Sequence, residues 1–155
     1  MSVPKKLTNY LKKNKISFEI IPHKTVYTSF DLAKTLKVDP EEIAKVLLVR
    51  LGKKYALAVL PASKNLNLKK LIALSKQKQG GLAKEQAMKK VFKIKPGTIT
   101  PFGGFHKLPV YLDRKLAGVK KIIVSALSYT DSLKIKTADF IWLENPVLGS
   151  FSKKK

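Results

Sequence analysis

The chain contains no cysteine, which excludes disulfides, thiolate-ligated zinc and a cysteine nucleophile. No apolar run approaches the length that spans a bilayer, and the N-terminus lacks the apolar segment of a secretory signal. A cytoplasmic protein with no membrane partner is expected. Histidine occurs only as His23 and His106, far apart and without a partner at ligand spacing, so neither metal nor cofactor is expected. A serine nucleophile elbow is missing, and Gly52-Lys53-Lys54 lacks the glycine pattern of a phosphate-binding Walker loop.

Acidic residues are also scarce, at 10 against 32 basic ones, giving a formal charge of +22. Such an imbalance points to polyanionic partners, above all nucleic acid. Arg50 and Arg114 are the only arginines; the remaining positive charge is lysine. Lysine is a mobile point charge and makes fewer bidentate contacts to bases than arginine does. Contact with nucleic acid should therefore follow phosphates, with strong salt dependence. The lysines are spread along the chain and not gathered on one amphipathic helix, which argues against a membrane-surface role.

With 155 residues and 45% apolar content the chain can build one core, so a single domain over 1–150 is expected, followed by a basic, disordered tail at 151–155. Val3, Leu7, Tyr10 and Leu11 predict a helix over 3–14, and 17–22 reads as a strand. Thr28 with Asp31 three residues on opens a helix to Leu36, and Asp39-Pro40-Glu41-Glu42 opens a short second one. Gly52-Lys53-Lys54 between apolar runs at 46–51 and 55–60 predicts a hairpin. Asn67 caps a helix over 68–75. Gln79-Gly80-Gly81 breaks the chain before a helix near 83–91. Strands follow at 109–112, 121–126 and 132–136, and Thr137 caps a last helix to Leu143 that carries Phe140 and Trp142 into the core. The class is α+β, a mixed sheet with flanking helices.

Two features point to chemistry. Lys45 sits in Ile43-Ala44-Lys45-Val46-Leu47-Leu48-Val49, the start of a buried strand. Its ammonium must either run to water or meet an anion, because burial unpaired is costly. Pro96-Gly97-Thr98-Ile99-Thr100-Pro101-Phe102-Gly103-Gly104 is a stiff loop whose glycines leave amides unshielded, a suitable cradle for an oxyanion. The loop from His23 to Thr28 mixes polar and aromatic groups ahead of a helix N-terminus.

In this order, His23 with Tyr27-Thr28-Ser29, the Lys45 strand, Leu60-Pro61-Ala62-Ser63, Gly97 to Gly103 and Val110-Tyr111-Leu112-Asp113 resemble the YbaK family, also called the prolyl-tRNA synthetase-associated domain. The resemblance covers about residues 15–143. It implies a mixed, partly barrel-like sheet with flanking helices, and hydrolysis in trans of the ester of a mischarged tRNA. It assigns Lys45 to the tRNA acceptor end, and Gly103, after Pro101 and Phe102, to the substrate loop with Gly104 beside it. It also implies that His23, Tyr27 and Thr28 border the aminoacyl pocket. Where many members carry alanine then glycine, this chain has Ala126-Leu127, a change that would narrow or displace a pocket wall. The implied partners are aminoacylated tRNA and an aminoacyl-tRNA synthetase; alanine, cysteine, serine and threonine are open as the amino acid removed. The alternative is a non-catalytic tRNA- or synthetase-binding module of the same fold, and a third reading is a general basic RNA-binding protein.

Overall fold

The structure, a computed structural model, describes residues 2–90, 92–95 and 97–155. Pro96, the expected start of the glycine-rich loop, and Val91, the expected end of a helix, lie outside the described residues, as does Met1. Local signals set most element starts. Helix α1 (Lys5–Lys13) buries Leu7 and Leu11. Helix α2 (Ser29–Leu36) begins where the Thr28 hydroxyl accepts from the Asp31 amide at 3.0 Å. The Asp39 carboxylate accepts from the Glu41 amide at 2.9 Å and caps a single 3₁₀ turn, Pro40–Glu42. That turn delivers Ile43 and Lys45 to strand β2 (Ala44–Leu51). Asn67 caps α3 (Leu68–Leu74) in the same way.

β2 turns at Gly52, whose φ of +64° favours glycine, into the antiparallel strand β3 (Lys54–Pro61). β6 (Val110–Asp113) runs parallel to β3, and β9 (Val147–Gly149) parallel to β6. The opposite edge of β2 takes β5 (Gly80–Leu82), completing the order β5-β2-β3-β6-β9. The Gln79-Gly80-Gly81 break is thus partly a strand: a side chain on Gly80 would collide with the Arg50 carbonyl, so glycine lets the two backbones meet. A second, antiparallel sheet contains β1 (Glu19–Pro22), β8 (Asp131–Lys136) and β7 (Lys121–Ser125), in the order β1-β8-β7.

The expected α+β class, a mixed sheet with flanking helices, holds, and the partly barrel-like sheet is not closed into a barrel. Among the described residues the backbones of the two sheets pair at one isolated parallel bridge, Ile43 to Ile123. Beyond it β2 takes β3 and β5 as partners and β7 takes β8, so nothing closes the seam. The main core fills the space between the sheets, from Leu7 and Leu11 through Leu57 and Val59 to Val124 and Phe140. Among the described residues no helix is long and apolar enough to cross a membrane.

Three further expectations fail for physical reasons. Thr137 does not cap the last helix, α7 (Thr137–Glu144): Lys136 holds the cap position, and the buried Thr137 hydroxyl has no protein partner. Phe140 is fully buried, whereas Trp142 is 72% exposed; two positions apart on a helix is a rotation of about 200°, so both cannot face one core. The tail is not disordered. Ser152–Lys154 forms strand β10, antiparallel to β4 (Lys64–Leu66), and Phe151 is fully buried against Leu60 and Leu71.

Asp113 is the anchor for that end. One carboxylate oxygen accepts from the amides of Phe151 (2.9 Å) and Ser152 (3.0 Å). The other accepts from Lys115 (3.0 Å) and caps α6 (Arg114–Ala117). Hydrogen bonds to a buried charge are worth more than neutral ones, and stranded amides add their desolvation cost. Asp113→Ala should therefore lower the unfolding free energy by about 2–4 kcal/mol in urea titration, and amide exchange at 151–154 should lose its protection.

Candidate active site

A cleft of about 270 Å³ opens at the unclosed seam. Its walls are Tyr27, Thr28 and Ser29 ahead of α2, Ala44 to Leu47 of β2, Gly97 and Ile99 of the glycine-rich loop, and Ser125 at the end of β7. Glu85 and Met88 of helix α4 (Glu85–Lys90) form the remaining side. Five chain segments, distant in sequence, therefore converge where the sheets part. Tyr27 is 62% exposed and packs edge-on against Tyr129, with centroids 4.8 Å apart.

Lys45 is the one cation among the described residues that line this cleft. Its Nζ donates to the Lys64 carbonyl at 3.2 Å and weakly to Asn65 Oδ1 at 3.5 Å, both neutral acceptors. Glu41, the nearby acid, pairs instead with Lys64 Nζ at 3.8 Å and accepts from the Ser63 hydroxyl. The ammonium is thus held in position with its charge uncancelled. Burial, and secondarily the charge of Lys155, pushes the Lys45 pKa below the ordinary lysine range. An anion at the cleft would oppose this lowering.

Gly97, which the sequence presents only as one of the loop's glycines, is a structural hinge of the site. It has φ +80°, and a Cβ there would run into the Tyr27 carbonyl oxygen. Glycine lets the loop lie flat against the Tyr27–Ser29 wall. Its sequence signal is its position first among the described loop residues, ahead of Thr98-Ile99-Thr100-Pro101.

Gly103 and Gly104 are elsewhere. They open the short helix α5 (Gly103–His106) and do not line the cleft. Gly103 is buried, and a Cβ would meet the Leu108 carbonyl and Val110. The Gly104 amide donates to Glu144 Oε1 at 2.7 Å, and the Tyr10 hydroxyl donates to Oε2 at 2.8 Å. Burial raises the Glu144 pKa, while these two bonds oppose the rise. An oxyanion role for Gly104 conflicts with this geometry, because its amide is already committed. Pro101 and Phe102 are buried too, with Phe102 edge-on to Phe140 at 5.8 Å. Tight packing and ligand approach both demand glycine, and sequence alone does not distinguish them.

His23 is also outside the cleft. Its Nδ1 lies 2.7 Å from the Lys24 carbonyl, which only accepts, so Nδ1 carries a proton; Nε2 meets the Ser132 hydroxyl at 2.9 Å. The ring ties the loop to β8. Ala126 is fully buried in the main core. Leu127 has φ +59°, a left-handed conformation easiest for glycine, and its amide donates to the Thr98 carbonyl at 2.9 Å. Its side chain borders a separate hollow with Phe92, Phe105 and His106, so it does not narrow the Lys45 cleft.

Comparison with known proteins agrees with the architecture. A family model described as "Aminoacyl-tRNA editing domain" matches residues 23–143. The prolyl-tRNA editing protein ProX of Acetoanaerobium sticklandii is 27% identical over 143 residues, covering 83% of this chain and 87% of that protein. The fold is similar to that of the hypothetical protein APE2540, with TM-score 0.86, 20% identity and coverage of 96% of this chain and 100% of that one. It is also similar to a candidate trans-editing enzyme for prolyl tRNA synthetase, with TM-score 0.85, 16% identity and 96% of each chain covered. With its match spanning most of the chain and all five walls of the cleft, the protein belongs to the aminoacyl-tRNA editing domain family, the group its motifs resemble.

Proposed function

We propose that the cleft hydrolyses, in trans, the ester of a tRNA charged with a wrong, small amino acid. The observation that carries this reading is a single uncancelled ammonium facing a glycine-bounded loop across a cleft of about 270 Å³, in a chain of the editing family. Lys45 meets a phosphate near the terminal adenosine. Glu85, the one acidic side chain among the described lining residues, faces the α-ammonium of the aminoacyl group. The ester carbonyl lies against the backbone at Gly97 and Ile99, which takes over the role expected of Gly103 and Gly104, the Thr98 amide being bound to the Lys95 carbonyl. Water attacks the carbonyl carbon, the ester C–O bond breaks, and the ribose oxygen leaves with a proton. An aminoacyl ester is already reactive, so orientation and charge stabilisation supply most of what the reaction needs.

Val46, Leu47, Met88 and Ile99 make the walls apolar, and the amino acid removed is one of alanine, cysteine, serine or threonine. One methylene yields only about 1–3 kcal/mol of discrimination, so a second site that excludes by size is useful to translation. The name of the ProX relative supports tRNA(Pro) as the substrate, and the description of the trans-editing relative supports prolyl-tRNA synthetase as an associate. A non-catalytic binding module loses its main argument, since Ala126 is core and Leu127 faces another hollow.

The deciding experiment is incubation with a panel of mischarged tRNAs: release of a small amino acid supports the reading, and retention of tRNA without release refutes it. Lys45→Ala should lower the deacylation rate on the order of 10²-fold with an unchanged melting temperature. Because the Lys45 pKa is depressed, affinity for deacylated tRNA should fall as pH rises through a value below the usual lysine range; Lys45→Arg, charged throughout, should remove that alkaline loss. Gly97→Ala, which forces a side chain into a positive-φ position against the Tyr27 carbonyl, should cost about 1–3 kcal/mol of stability and most of the activity.

A further inference from the structure

The lysine-rich C-terminal strand meets the rim of this cleft through two independent contacts. First, β10 pairs with β4 in a register that sets Lys154 opposite Lys64, and the Lys64 carbonyl is the acceptor for Lys45 Nζ. Second, Lys155 Nζ lies 4.1 Å from the centroid of the Phe30 ring, and Phe30 follows directly on Ser29, a wall residue. Lys34 approaches the same ring at 4.7 Å. Phe30 is 41% exposed, which leaves its ring face open to these ammoniums.

A cation over an aromatic face is oriented but not neutralised, unlike a cation bound to a carboxylate. The local acid, Glu41, is engaged by Lys64 and Ser63. Lys155 thus stands at the rim with its charge available, one strand away from Lys45. Two such ammoniums beside a cleft sized for an aminoacyl group suit consecutive phosphates of a single strand, where point charges follow the backbone without reading bases.

We propose that the C-terminal segment, β10 with Lys155 after it, is an arm of the active site, in which Lys155, oriented by Phe30, binds a phosphate of the single-stranded acceptor end next to the one met by Lys45. The assignment rests on the aminoacyl-tRNA reading of the cleft, and Phe30 acts in it as a positioning residue.

The test is binding of the full chain to a deacylated acceptor-stem minihelix with a single-stranded 3′ end, followed by fluorescence anisotropy across a salt series. Lys155→Ala should weaken binding severalfold and reduce the slope of log K against log salt by about one. Phe30→Leu should reproduce part of that loss and Phe30→Tyr should restore it. The remote charge reversal Lys12→Glu, and a blunt duplex lacking the single strand, provide controls: the Lys155 effect should be absent on the blunt duplex. On a mischarged tRNA, Lys155→Ala should raise KM and leave kcat unchanged. Wild-type slope and affinity in Lys155→Ala, or an equal loss on the blunt duplex, would overturn the proposal. Minihelix binding that depends on Lys155 without amino acid release would keep the arm and sink the deacylase reading, so the two fail separately.

Discussion

Strand β2 is hydrogen-bonded to β3 from Ala44 to Leu51 along one edge, but along the other its strand partner β5 covers only Val49 to Leu51. On that second edge the Leu48 carbonyl accepts from the Ala83 amide at 2.9 Å, and among the described residues the one backbone bridge toward β7, Ile43–Ile123, lies just ahead of β2. Backbone polar groups tolerate neither dry exposure nor apolar cover, so such an edge must face water or a ligand. Everything at the site follows from this incomplete pairing. The seam admits solvent, the walls come from whichever segments border it, and a lysine on the open stretch can bring its charge to a ligand without leaving its strand.

The strand lysine was legible because a charged residue inside an apolar run contradicts its surroundings, and the contradiction has few resolutions. Caps were legible for a similar reason: Thr28, Asp39 and Asn67 each bond to the amide two or three residues ahead, so the signal is local. Glycine gave no such guidance. Gly97, Gly103 and Gly104 look alike in sequence, yet one adjoins the Tyr27 wall, one packs on Leu108 and Val110, and one gives its amide to Glu144. These demands are set by partners 5 to 70 positions away, beyond the range of any local pattern. The tail misled for another reason. Its lysines suggested solvation, but the single apolar residue before them, Phe151, and the distant carboxylate Asp113 decide the outcome.

Membership of the editing family fits the charge pattern without requiring sequence-specific reading of RNA. Most of the +22 charge is diffuse and raises association with any polyanion. In the proposed reaction, registration at the ester comes from the few cations whose positions are fixed. Lys45 is fixed by a carbonyl, Lys155 by an aromatic ring, and neither contact consumes the charge it orients. Holding a cation by uncharged partners separates positioning from neutralisation, which a salt bridge would have combined.

The walls of the cleft are unequal. The glycine-rich loop is moored at both ends, by Gly97 against Tyr27 and by Gly104 on Glu144, and β2 is locked in its hairpin. Helix α4, by contrast, has six residues and buries none of them. Little apolar contact opposes its outward displacement, so it belongs to the low-stability end of the structure. The aperture is therefore a thermal average governed by its least tethered side. Under the proposed function, rejection of a bulky amino acid would depend on how seldom α4 swings away, and fidelity would acquire a temperature coefficient that a rigid sieve would not have.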